Sequence, residues 1–206
     1  MNQKQFWEGL AKKNSRYYIN SDKGKKITEE QFRESGQLDY EKYVLADPTI
    51  DNRDTILEIG CGTGRMTEFM AKDFKKVIGI DISGEMIRQA RERLVGLQNV
   101  DLHETNGEDL PLEDFSVDIC FSYLVFQHFK TREMVKNNFR EIWRVLKNKG
   151  LFKVRLRTDA INDLEKWWSG VEYDDEEVDQ LCYDTGFTLL KVEKVGDYGV
   201  WLWLEK

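Results

Sequence analysis

Leu57 to Met70, LEIGCGTGRMTEFM, is the stretch whose reading decides this chain. An apolar run stops at three glycines spaced two apart, Gly60, Gly62 and Gly64, and a helical pattern follows at once. Glycine permits backbone turns and close approaches that a Cβ forbids, so something lies against this backbone. The flanking residues must decide between a phosphate, a dinucleotide and another ligand.

Ile56, Leu57 and Ile59 form a short buried strand that Gly60 ends. Met66, Phe69, Met70 and Phe74 then share one helical face. The alternation repeats along the chain. "KVIGID" (Lys76–Asp81) is a second strand. "SGEMIRQARERLVG" is an amphipathic helix capped by Ser83 and stopped at Gly96. "NVDLHE" is a short third strand, and "VDICFSYL" a fourth after the turn-like "LPLEDFS". "TREMVKNNFREIWRVLK" is a helix with Met134, Val135, Phe139, Ile142, Trp143 and Leu146 inward, and "LFKVRLR" is a fifth strand. Such alternation implies right-handed crossovers and a parallel sheet with helices on both faces. The C-terminus departs from the rule. "FTLLKVEKV" and "VWLWLEK", joined around "GDYG", read as a hairpin that adds an antiparallel strand.

Ligands of an open parallel sheet bind beyond the C-terminal strand ends, which makes the first strand-to-helix turn the expected cofactor site. Its G-x-G-x-G spacing brings the last glycine one place early for the dinucleotide fingerprint. Arg65 follows where a Walker loop would need lysine. Glu58, just before the loop, sits awkwardly beside a pyrophosphate and comfortably beside a cation. Asp81 ends the second strand about 20 residues on, where a carboxylate accepts both hydroxyls of an adenosine ribose. Ile82 is placed to cover an adenine face, and Asn106 with the Gly107–Glu108 backbone to read its edge.

Composition bounds the alternatives. The chain has 206 residues, room for one domain plus an accessory element. Cys61, Cys120 and Cys182 are far apart and odd in number, which fits a reducing cytosol. With only His103 and His128 beside them, no metal is expected. The N-terminus lacks an apolar signal core, and no apolar run approaches a membrane span, so a cytoplasmic protein without membrane contact is expected. The net charge of −7 counts against a broad nucleic-acid surface. Residues 1–26 nevertheless carry seven Lys/Arg against Glu8 and Asp22, and residues 159–185 ten Asp/Glu against Lys166.

"ILEIGCGTGRMT", "VIGIDISGEMIRQAR", "NGEDLPLEDFSVDICFSYLVFQHF" and "FREIWRVLKNKGLFKV" resemble the successive motifs of the class I S-adenosylmethionine-dependent methyltransferases, in their small-molecule type 11/25 branch. The resemblance covers roughly residues 54–157, and the terminal hairpin resembles that fold's last strands. It implies a Rossmann-like α/β fold: a seven-stranded, mostly parallel sheet with an antiparallel last strand. It also implies a helical lid over residues 1–50 and a methyltransferase domain over 51–206, with an accessory segment at about 158–180. The implied cofactor is S-adenosylmethionine, leaving as S-adenosylhomocysteine. Gly60, Cys61 and Gly62 would lie along its methionine part and Glu58 near its ammonium. Asp81 would hold the ribose and Ile82 pack on the adenine, with Asn106, Gly107 and Glu108 at the polar edge. Ser122 and Tyr123 would face the methyl group. The family usually has Asp where Asn106 stands, and an amide still accepts from the adenine amino group.

A sulfonium is an activated donor, so the protein needs alignment and water exclusion more than a nucleophile. A general base matters only when the acceptor arrives protonated. His128 in "FQHFK" is the candidate base, against a packing role beside Phe126 or Phe129. Phe6, Trp7, Leu10, Tyr17 and Tyr18 read as a lid or as ordinary core, with Tyr18 at the methionine end. Trp167, Trp168 and Tyr173 among carboxylates form either an amine cage or a buried loop. The expected reaction is in-line methyl transfer to a small-molecule O- or N-nucleophile. An NAD-dependent oxidoreductase, methylation of protein or RNA, and a non-catalytic partner stay open, as does oligomeric state.

Overall fold

Ile56, Leu57 and Ile59 are all buried, and the run in front of the glycines is strand β1 (Thr55–Ile59). The structure, a computed structural model, describes residues 2–21, 24–158, 170–196 and 199–206. The chain divides into two compact units, Met1–Gly107 and Glu108–Lys206. With the strands numbered along the chain, their hydrogen-bonded order is β3-β2-β1-β4-β5-β7-β6, a Rossmann-like seven-stranded sheet.

In the first unit β1 pairs in parallel with β2 (Lys76–Asp81), and β2 with β3 (Val100–Glu104). Four α-helices accompany these strands among the described residues of the unit. Helix α1 (Gln3–Ile19) opens the chain with a capping box between Asn2 and Gln5. It kinks at Asn14, whose Oδ1 accepts from the Tyr17 amide at 3.2 Å and so caps the turn that follows. Helix α2 (Glu29–Tyr40), which the sequence reading covers only within the helical lid of residues 1–50, starts at a second capping box, Thr28 with Gln31, and runs into a π-helical turn, Glu41–Leu45. It buries Phe32 and Tyr40.

Helix α3 (Thr67–Asp73) starts three residues later than the apolar pattern reads. Gly64 holds φ at +79°, outside the helical region, while its amide closes a turn onto the Cys61 carbonyl at 2.9 Å. Helix α4 (Gly84–Arg93) begins as expected, with Ser83 Oγ accepting from the Met86 amide. It ends three residues before Gly96.

In the second unit β4 (Val117–Ser122) runs parallel to β5 (Leu146–Arg157), which starts directly after helix α5 (Arg132–Val145). Strand β7 (Gly199–Glu205) lies antiparallel between β5 and β6 (Thr188–Val195), as the terminal hairpin pattern reads. Helix α6 (Asp175–Thr185) carries its acids in the first turn, where the helix dipole favours them. Phe126, Phe139, Phe152 and Phe187 interlock at centroid distances of 5.1–6.1 Å to form the core beside α5. Trp143 corrects the inward set of α5. It is 36% exposed, because its indole N–H reaches out to the Gly186 carbonyl at 3.1 Å, at the end of α6. Among the described residues no helix is long and apolar enough to cross a membrane.

Candidate functional site

The glycine loop is built against the end of β2. The amides of Gly60 and Cys61 both donate to the Ile80 carbonyl, at 2.8 and 2.9 Å. Gly60, Gly62 and Gly64 all have φ between +55° and +79°, the left-handed region where a side chain is strained. The Gly62 amide donates to Asp81 Oδ2 at 3.0 Å, and the Ser83 amide to Asp81 Oδ1 at 2.9 Å. What lies against the bare backbone is protein as well. A Cβ on Gly62 would meet Ile19 Cδ1 at 2.9 Å, and one on Gly64 would meet Leu94 Cδ1 at 2.7 Å. The C-terminal end of α1 thus rests on the loop through Ile19, a residue the sequence reading passed over in favour of Tyr18.

Two carboxylates lie here, Glu58 buried and Asp81 half-buried. Glu58 is buried on β1 and accepts from Thr67 Oγ1 at 2.5 Å. Burial pushes its carboxyl up to about 7, against the Thr67 bond and the Arg65 charge. Burial also raises Asp81, to about 6, against the amide hydrogen bonds it accepts. The Cys61 thiol is pushed up too, first by burial and then by Asp81 and Glu58, so it is no reactive thiolate. Acids raised in this way favour a cationic ligand, which would return them to the charged form. The Thr63 hydroxyl, 3% exposed, has no hydrogen-bond partner in the described chain. A buried donor of this kind calls for a polar partner. The donor set of this loop therefore fits a ligand that carries positive charge and hydroxyl groups.

Beyond Asp81, Ile82 is half-buried and its Cδ1 lies 2.7 Å from the Cβ position of Gly107, so these two expected adenine neighbours do come together. Asn106 and Glu108 are exposed. Tyr18 is half-buried and packs edge-on against Tyr17 at 4.9 Å. The sequence reading missed Glu8. Its Oε2 accepts from Ser83 Oγ at 2.7 Å and from the Glu85 amide at 3.1 Å, which caps α4 from α1. The only sequence signal was an acid on the face of α1, which does not say what it meets.

In the second unit Ser122 ends β4, fully buried, and Tyr123 follows with its ring stacked on Trp201 at 5.6 Å and 14°. Leu124 then takes φ +60°, a strained conformation for a branched side chain. His128 is buried at the end of a 3₁₀ turn, Phe126–His128, with Gln127 Nε2 at 3.3 Å from its Nε2. Tyr173 is buried, with the Arg132 guanidinium over its ring at 5.5 Å. Trp167 and Trp168, the rest of the candidate amine cage, lie outside the described residues. No cluster of three metal-ligating side chains occurs among the described residues.

Residues 57–154 match the model of the methyltransferase domain. The malonyl-(acyl-carrier protein) O-methyltransferase of Marinomonas sp. is 31% identical over 142 residues, covering 65% of this chain and 51% of that protein. The mRNA cap guanine-N(7) methyltransferase of Eremothecium gossypii is 30% identical over 130 residues, 54% of this chain and 29% of that one. The crystal structure of an S-adenosylmethionine-dependent methyltransferase from Aquifex aeolicus superposes with a TM-score of 0.63 at 20% identity, over 87% of this chain and 99% of that one. The matched stretch contains the glycine loop and Asp81. Over residues 57–154 the chain is similar to a methyltransferase domain, and it shares the fold of S-adenosylmethionine-dependent methyltransferases. It spans about half, or less, of the length of the curated relatives it matches.

Proposed function

We propose that this protein is a cytoplasmic enzyme that methylates an O- or N-nucleophile of a small molecule, with S-adenosylmethionine as the donor. The observation that carries the reading is the Asp81 carboxylate tied to the Gly62 amide at the mouth of a loop with raised acids. When bound, the cofactor supplies a methyl group on a positively charged sulfur. The chain's own residues bind and orient. Asp81 accepts from the ribose hydroxyls, and Ile82 with Gly107, Asn106 and Glu108 receives the adenine. Gly60, Cys61 and Gly62 present bare backbone to the methionine part, and Glu58 offsets the positive charge. The N-terminal helices, residues 1–50, act as the lid, with Tyr18 and Ile19 at its inner end, and residues 51–206 as the catalytic domain. Ser122 and Tyr123 orient the acceptor, and His128 takes its proton where it arrives protonated. Holding an acceptor in line is worth several kcal/mol, up to about 7–11 in favourable intramolecular cases.

A small acceptor is supported by the O-methyltransferase relative and by the net charge of −7. The cap methyltransferase relative and the basic first 26 residues favour RNA as a second reading. Protein methylation and a non-catalytic binding role complete the alternatives. Labelled methyl transfer from the donor into a small-molecule extract, total RNA and total protein separates them. Incorporation into the small-molecule fraction, lost in Asp81→Ala, is the expected result. Incorporation confined to RNA or protein would overturn the acceptor class, and no turnover with intact cofactor binding would point to a non-catalytic role.

A further inference from the structure

One face of the second unit's sheet is a ladder of cations and rings. Alternate residues of β5 share a face, and Lys153, Arg155 and Arg157 are such a set. Across the β5–β7 register they oppose Trp203, Trp201 and Gly199. The three cations are used differently. Lys153 is 3% exposed and sandwiched between Trp201 at 5.0 Å and Trp203 at 4.6 Å. Arg157 is buried. Arg155 is half-buried, with its guanidinium over the Tyr123 ring at 5.9 Å.

No carboxylate among the described residues pairs with Arg155. The nearest acid along the ladder is Glu193, which stands across from Trp201 on β6 and is engaged by Lys191 at 2.7 Å. The backbone also makes room for this guanidinium. A Cβ at Gly199 would lie 2.8 Å from Arg155 Nε and 3.2 Å from its Nη2. Glycine there leaves a cradle with the Tyr123 ring as another wall. The cradle sits at the C-terminal end of the parallel pair β4 and β5, the end at which such strands receive ligands. A half-desolvated guanidinium without an anion among the described residues, held flat by a ring and a bare backbone, matches the planar fork geometry of an oxyanion.

We infer that Arg155 binds an oxyanion of the methyl acceptor, a carboxylate or a phosphate, with Tyr123 and Gly199 fixing the plane of its guanidinium. This deepens the methyl-transfer reading and rests on it. The acceptor class is then a small anionic molecule, and Arg155 sets specificity without taking part in bond making.

The test titrates the whole protein, saturated with S-adenosylhomocysteine, against matched acid and amide pairs: acetate and acetamide, succinate and succinamide, cinnamate and cinnamamide. Phenyl phosphate is run beside them. Binding of S-adenosylhomocysteine itself is measured on every sample. Wild type is expected to prefer an acid over its amide by about tenfold or more, the scale of a charge-assisted pair. Arg155→Gln should lose that preference while keeping adenosyl binding, and Arg155→Lys should keep part of it. Arg140→Gln, a surface change on α5, should leave it whole. Tighter binding of phenyl phosphate than of any carboxylate assigns the oxyanion as phosphate, and the reverse assigns carboxylate. No acid preference in any pair, or a preference that survives in Arg155→Gln, overturns the inference. Failure of wild type to bind S-adenosylhomocysteine sinks the methyl-transfer reading instead.

Discussion

The backbone amide of Gly62 donates to Asp81 Oδ2 at 3.0 Å, so the carboxylate that ends β2 is fastened to the glycine loop that follows β1. One hydrogen bond thereby fixes the position of both parts of the proposed cofactor cradle, 19 residues apart in sequence. Asp81 Oδ1 is also engaged, by the Ser83 amide that opens α4. Loop, strand end and helix start are thereby tied to one carboxylate.

The contact between Ile19 and Gly62 links the N-terminal helix to that cradle. Gly62→Ala adds a Cβ in the left-handed region and against Ile19, so a destabilisation of about 1–2 kcal/mol is expected, plus the cost of the contact. Urea unfolding of Gly62→Ala, Ile19→Ala and the double variant measures the two parts. The double variant should recover the steric part only, a coupling that a double-mutant cycle reads directly.

Gly36 offers a sign reversal. In an exposed helix interior, Gly→Ala stabilises by about 1 kcal/mol. At Gly36 of α2 a new Cβ would stand 2.3 Å from the Arg65 carbonyl oxygen, which is backbone and cannot swing away. Gly36→Ala should therefore destabilise, by about 1–3 kcal/mol. A midpoint that rises in chemical unfolding would contradict the packing described for α2.

Glu58 gives a pH dependence of defined sign. Its folded value, about 7, lies above the ordinary 4.5 because burial penalises the charge. Between those values the folded chain binds more protons than the unfolded one, so stability falls as pH rises. Asp81, raised from 3.8 to about 6, acts in the same direction over a lower window. The melting temperature of the ligand-free protein should decline from about pH 4.5 to about pH 7, and Glu58→Gln should flatten the upper part of that slope. A slope unchanged in Glu58→Gln would remove Glu58 as its source.

Glu8 ties α1 to the start of α4 through Ser83 Oγ and the Glu85 amide. Those hydrogen bonds, with Lys12 nearby, hold its carboxyl below the usual range. Glu8→Gln should cost about 1 kcal/mol, the scale of a lost helix-start charge and cap. Hydrogen exchange should show faster opening of α1 than in wild type, with β1 unchanged.

The strand and helix order was legible because each element carries its own period. The run before Gly60, the Ser83 cap and the terminal hairpin are local signals with local causes. Helix α2 was not picked out within the helical span 1–50, although Thr28 and Gln31 spell its capping box, because its interior is mostly polar and Phe32 and Tyr40 are its only large buried side chains. Trp143 reads as core by spacing, and a distant carbonyl, that of Gly186, draws it outward. The glycines and Asp81 could be picked out from spacing alone. Ile19, Thr67 and Glu8 could not, since what each meets depends on elements tens of residues away. Arg155 escaped notice for the same reason. Its neighbours Tyr123 and Gly199 come from the loop after β4 and from β7.

The most direct test is a calorimetric titration of purified wild type and Asp81→Ala with S-adenosylmethionine and S-adenosylhomocysteine, with NAD as the control ligand. Saturable binding of both adenosyl ligands by wild type is predicted, weakened about 10- to 100-fold in Asp81→Ala, as loss of hydrogen bonds to a charged group requires. NAD should not compete. Equal affinity of the two proteins, a preference for NAD, or no adenosyl binding by folded wild type would contradict the assignment of the glycine loop.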